Sequence, residues 1–93
     1  MALTVIAAYD IRVDDRRARL AALLQAYGDR IQKSVFVLEV DEDELRTITT
    51  RSLAIIDPAT DSVWFARQCV TCWAQLGTLG QTKSPEKVLF WSV

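Results

Sequence analysis

The stretch Arg30-Ile31-Gln32-Lys33-Ser34-Val35-Phe36-Val37-Leu38-Glu39-Val40 decides the fold. It is rich in the β-branched and aromatic residues that suit a pleated, half-buried strand, with Val35 and Val37 on one face and Phe36, Leu38 and Val40 on the other. It contains neither Gly nor Pro, so it either bends sharply near Lys33-Ser34 to make two strands or runs on as one. On its amino-terminal side Leu20, Leu23, Leu24 and Tyr27 recur at i, i+3, i+4 and i+7, the apolar stripe of an amphipathic helix. Asp14 or Asp15 is expected to cap that helix, and Gly28 to stand just past its end. Earlier still, the nearly continuous apolar run from Leu3 to Tyr9 reads as a central strand because of Thr4, Val5 and Ile6, and it ends at Asp10.

On the carboxyl-terminal side, Asp41-Glu42-Asp43-Glu44 places carboxylates where a helix macrodipole favours them. Leu45, Ile48, Leu53 and Ile56 supply the apolar stripe of that helix, and Asp57-Pro58 stops it. Asp61 to Arg67 returns to strand through Val63, Trp64 and Phe65, with further short strands expected at Trp73–Leu79 and Val88–Trp91. Strands alternating with two helices make an α+β sandwich, and a bend at Lys33-Ser34 turns it into a ferredoxin-like βαββαβ domain. Residues 1–93 read as one such domain. Residues 81–93 read as a docking tail, since Val88-Leu89-Phe90-Trp91 is too apolar for a free terminus and fits a second subunit.

Composition agrees with this size and class. Of 93 residues 51% are hydrophobic and 25% charged, with three Gly and two Pro, which excludes a disordered chain and leaves room for one core. No apolar run approaches the roughly 18 residues of a membrane span, and Asp10 interrupts the first run before a leader cleavage site. A cytoplasmic protein with no membrane partner is expected. Net charge is −1 but unevenly spread: residues 1–35 balance at +2, 36–62 at −5 and the remainder at +2. The first segment is a cationic surface, whereas the middle one would repel phosphates.

The chain has no His, which removes Ser-His-Asp and Cys-His catalysis and most zinc sites. Carboxylate, Arg and metal remain. Asp10 stands where a central strand leaves the sheet, the position of a catalytic carboxylate or of an ordinary turn acid. Arg16 and Arg17 lie within about 60° of the centre of the Leu20/Leu23/Leu24/Tyr27 stripe at 100° per residue. Both therefore point along the sheet side near Asp10, while Arg19 falls toward solvent; the plainer alternative is a solvated face paired with Asp14 and Asp15. Cys69-Val70-Thr71-Cys72 reads as a turn with two reduced cysteines, a metal being possible only if a dimer pools four. Trp64, Trp73 and Trp91 read as core or interface. No Gly-rich phosphate loop or base-stacking aromatic motif is present.

Tyr9-Asp10-Ile11, Arg17-Ala18-Arg19-Leu20, Tyr27-Gly28-Asp29-Arg30-Ile31-Gln32-Lys33-Ser34-Val35-Phe36, Asp61-Ser62-Val63, Cys69/Cys72 and Leu79-Gly80, in this order, resemble the CRISPR-associated protein 2 (Cas-two) family over almost the whole chain. The resemblance implies a ferredoxin-like homodimer, with the Arg30–Val40 segment a tight strand pair and the tail crossing to the partner's sheet. It implies a Mg²⁺- or Mn²⁺-dependent endonuclease acting on RNA or double-stranded DNA, with Asp10 as catalytic and metal-binding carboxylate. Arg17, Arg19 and Arg30, joined by Arg16, would hold the phosphate backbone, supported by Tyr9, Ser34 and Phe36, with Phe36 at the dimer seam. It implies work in spacer acquisition beside the CRISPR integrase (CRISPR-associated protein 1). A catalytically silent DNA-bridging scaffold and a virulence-associated toxin ribonuclease are the competing readings.

Overall fold

A computed structural model describes residues 2–75, 77 and 79 of the chain. The Arg30–Val40 segment does bend at Lys33-Ser34. It forms two strands, β2 (Gly28–Gln32) and β3 (Val35–Val40), paired antiparallel with a register shift between Arg30 and Gln32. With β1 (Leu3–Asp10) and β4 (Ser62–Gln68) they make an antiparallel sheet in the order β2-β3-β1-β4, the ferredoxin-like arrangement that the sequence implied.

Alternation along β1 and β3 separates two faces. Val5, Ala7 and Tyr9 join Phe36, Leu38 and Val40 on the face covered by α1 (Asp14–Gln25) and α2 (Glu42–Ile55). Leu20, Leu23 and Leu24 of α1 are buried there, and Tyr27 packs against them, as their spacing predicts. The stripe of α2 is Leu45, Ile48, Ser52 and Ile55. Leu53, expected in that stripe, is exposed, because eight residues beyond Leu45 a helix has rotated it about 80° off the line.

Three further expectations are corrected. Val13 is the N-cap of α1 and its side chain donates or accepts nothing there; its carbonyl accepts from the Arg17 N–H at 3.0 Å, and Asp14 and Asp15 sit inside the first turn. Gly28 lies in β2, where a Cβ would stand 1.9 Å from the Val37 carbonyl oxygen; its role is close backbone approach, not helix termination. In place of a strand from Trp73, residues Val70–Ala74 form a short helix, α3, with Cys69 as its N-cap. Turning back after β4 lets the Trp73 ring reach the other sheet face, where it is 1% exposed against Val37, Ile6 and Ile31. Trp64, by contrast, is 57% exposed and contributes nothing to the core. Trp91, the Val88–Trp91 strand and the tail at 81–93 lie outside the described residues. Among the described residues no helix is long and apolar enough to cross a membrane.

Candidate functional site

Asp10 is the last residue of β1, exposed, and paired in register with Ser62 at the first position of β4. It lines a cleft of about 710 Å³ together with Asp14, Arg17, Arg30, Lys33 and Ser34. Non-local hydrogen bonds bring these residues together. The Tyr9 N–H donates to the Ser34 carbonyl at 3.0 Å and the Tyr9 hydroxyl to the Lys33 carbonyl at 3.3 Å, tying the β2–β3 turn to the end of β1.

Beneath the turn, the Tyr9 and Phe36 rings stack with centroids 6.2 Å apart, and the Arg30 guanidinium lies 5.1 Å over the Phe36 ring. Phe36 was expected at a dimer seam. It is 0% exposed in the single chain, because its strand position turns it toward the helices, and it serves as the floor that holds Arg30 above it.

The three arginines expected on α1 separate. Arg17 reaches the cleft, its Nη1 donating to the Ile11 carbonyl at 2.9 Å and its Nη2 paired with Asp14. Arg16, expected beside Asp10 as a phosphate ligand, is committed elsewhere: its Nε donates to Asp61 Oδ2 at 2.8 Å, and Asp61 raises the Arg16 pKa. Arg19 is exposed on α1, in a second, smaller groove with Arg51 of α2 that does not include Asp10.

Asp61 and Lys33 were missed as contributors. The Asp61 carboxylate also accepts from the N–H groups of Arg12 at 3.2 Å and Asp57 at 2.9 Å, so it clamps the loop that leaves Asp10 to the loop that enters β4. Arg16 first, then these backbone donors, hold its carboxyl well below the usual carboxylate range despite the cost of burial. The signal for Asp61 was its place directly before a strand that neighbours the Asp10 strand; for Lys33 it was the bend itself.

Mg²⁺ takes one or two carboxylates and keeps several waters, so a lone exposed Asp10 fits as one protein ligand and leaves place for a second. Among the described residues no three His, Cys, Asp or Glu side chains gather into a cation cage. Asp14 lines the same cleft as Asp10 and is paired with Arg17.

The family model described as CRISPR associated protein Cas2 matches residues 2–76. A Chloroflexus aurantiacus protein named CRISPR-associated endoribonuclease Cas2 1 is 34% identical over 79 residues, 84% of this chain and 85% of that protein. A hypothetical protein of Thermus thermophilus superposes with a TM-score of 0.82 at 34% identity, covering 92% of this chain and 100% of the other. Streptococcus pyogenes Cas2 superposes with a TM-score of 0.77 at 33% identity, covering 83% and 99%.

Proposed function

The chain belongs to the CRISPR-associated protein Cas2 family, and on that premise we propose that it is a divalent-cation-dependent nuclease that hydrolyses phosphodiester bonds of RNA or double-stranded DNA as a homodimer. The observation that carries this is the exposed Asp10 carboxylate in one cleft with Arg17, Arg30 and Lys33. The name of the Chloroflexus relative supports RNA as a substrate.

Asp10 is the residue that would hold Mg²⁺ or Mn²⁺, which when bound supplies Lewis-acid stabilisation of charge at the attacked phosphate and an oriented water. Arg17, Arg30 and Lys33 bind the flanking phosphates. Arg17 uses one donor on the Ile11 carbonyl and one on Asp14, and a guanidinium has five N–H groups, so donors remain for an incoming oxyanion. Arg30 is held in place by the Phe36 ring below it. Tyr9 and Ser34 fix the turn that presents Lys33. Arg19, outside the cleft, contacts a backbone only where a longer nucleic acid runs along the helices, and Arg16 serves the fold. Such contacts read phosphate and not base, so binding is independent of sequence.

With one Asp10 per chain, a two-fold axis that brings two strand ends together would give the cation two carboxylates. The exposed Trp64, on the same sheet face as Ala8 and Ile6, supports self-association through that face. In the cell this activity would serve spacer acquisition with the CRISPR integrase.

The test is cleavage of RNA and of duplex DNA by the wild-type and Asp10→Asn proteins, with Mg²⁺ and with chelator. Cleavage that needs both Mg²⁺ and Asp10 is the expected result. An Asp10→Asn protein that cleaves as well as wild type would remove the nuclease reading and leave the DNA-bridging scaffold.

A further inference from the structure

We propose that Cys69 and Cys72 are a dithiol–disulfide couple that exchanges with small-molecule disulfides of the glutathione class. The pair was expected to form a plain turn. Instead Cys69 is the N-cap of α3 and Cys72 the third helical residue, with the Cys72 N–H donating to Cys69 Sγ at 3.2 Å. That contact folds the Cys69 side chain back over the first turn, toward Cys72. A disulfide needs Cβ atoms roughly 3.5–4.5 Å apart, and the contact of Cys69 Sγ with the Cys72 N–H already brings the two residues together.

Packing does not account for the two thiols. Cysteines kept for their volume are buried and inert, and both of these are free and exposed. A metal does not account for them within the chain either, since no third ligand joins them among the described residues. The two sulfurs are also unequal. The Cys72 thiol, then the backbone N–H groups, favour the thiolate of Cys69 and hold its pKa below the ordinary value, while Cys69 pushes Cys72 up. An attacking thiol and a resolving thiol need that inequality.

The Cys69 thiolate attacks one sulfur of a disulfide RSSR, forming a mixed disulfide and releasing RS⁻, which takes a proton from water. Cys72 then loses its proton to solvent and attacks Cys69 Sγ, closing the intrachain S–S bond and expelling the second RS⁻. Two protein thiols are oxidised and one RSSR is reduced to two RSH. The bond staples the first turn of a helix too short to persist without support, the helix whose Trp73 covers Ile6, Val37 and Ile31.

The test uses the full chain in buffers of glutathione and glutathione disulfide, quenched by alkylation and read by mass spectrometry and on non-reducing gels. Wild type should lose both alkylatable thiols together and remain a single chain. Cys72→Ser should stop at one glutathione adduct, and Cys69→Ser should form its adduct more slowly than Cys72→Ser does. Asp10→Asn should oxidise like wild type, which separates this couple from the nuclease reading. Wild type that keeps both thiols in excess glutathione disulfide would overturn the proposal, as would disulfides formed only between chains. Equal rates in the two single variants would remove Cys69 from its role as attacking thiol.

Discussion

Asp61 touches no substrate, yet its side chain is wholly covered and its two oxygens accept from Arg16, from the backbone N–H groups of Arg12 and Asp57, and from the Thr60 hydroxyl at 3.2 Å. Its carboxyl is held below its ordinary value of 3.8, so between that value and the lowered one the unfolded chain binds the extra proton. Stability from this group is therefore complete above about pH 5 and is lost as pH falls through the lowered pKa. The urea midpoint of Asp61→Asn should change less between about pH 5 and pH 2.5 than that of wild type; an equal loss in both proteins would place the acid sensitivity elsewhere. The neighbouring arginines divide by the same geometry. Arg17→Ala and Arg30→Ala should each lower the slope of log affinity against log salt by about one per subunit. Arg16→Ala, whose charge is committed to Asp61, should leave that slope unchanged and lower the urea midpoint. A slope that falls equally in all three would return Arg16 to the phosphate contacts.

Among the elements, α2 shows how the acidic run Asp41-Glu42-Asp43-Glu44 is used. Asp41 Oδ1 accepts from the Glu44 N–H at 2.7 Å while Glu44 Oε1 accepts from the Asp41 N–H at 2.9 Å, a capping box. Glu42 is paired with Arg67 of β4, and Asp43 with Arg46 at 3.0 Å. Asp41→Ala should cost about 1 kcal/mol of unfolding free energy, the usual value of an N-cap; thermal melts that coincide with wild type would mean α2 is held by packing alone. In β2, Gly28→Ala meets backbone, not a yielding side chain: its Cβ would stand 2.7 Å from Leu38 Cα. The substitution should cost about 1–3 kcal/mol and loosen the β2–β3 pair that carries Arg30 and Lys33. Denaturation together with amide exchange in β3 would measure both effects.

At the scale of the molecule, the two ends of the sheet have opposite chemistry. Leu3 pairs with Val40, immediately before the acidic start of α2, whereas Asp10 lies at the far end of the same strand. Eight residues of strand place the two about 25 Å apart, more than twice the screening length of about 8 Å at physiological salt. The acidic run therefore does not oppose phosphates at the Asp10 cleft. If two chains share one cation, the active unit is the pair. A mixed dimer of wild-type and Asp10→Asn chains, purified through two tags, should then lose far more than half of the Mg²⁺-dependent activity. A mixed dimer with half the wild-type rate would mean two independent sites. Trp64→Glu on the open sheet face should weaken self-association at least about tenfold by sedimentation, since burial of one large aromatic contributes more than about 1.4 kcal/mol.

Period and punctuation by themselves determined most of the architecture. The α1 stripe, the β1 run ending at Asp10 and the absence of His are properties of local order along the chain, and a resemblance spread over the same motifs named the family. Local order could not place what depends on partners distant in sequence. Whether Arg30–Val40 bends was open because no Gly or Pro marks the turn; the bend is stabilised from outside by Tyr9, more than twenty residues earlier. Helical rotation put Arg16 and Arg17 on one side of α1 but could not tell that Asp61, 45 positions on, would take Arg16 and leave Arg17 to the cleft. Trp73 looked like strand because its local propensity is β, and burial against the sheet overrode it. Only the tertiary structure decided which charges meet, because an ion pair or a cleft depends on distances in space that the spacing along a chain does not contain.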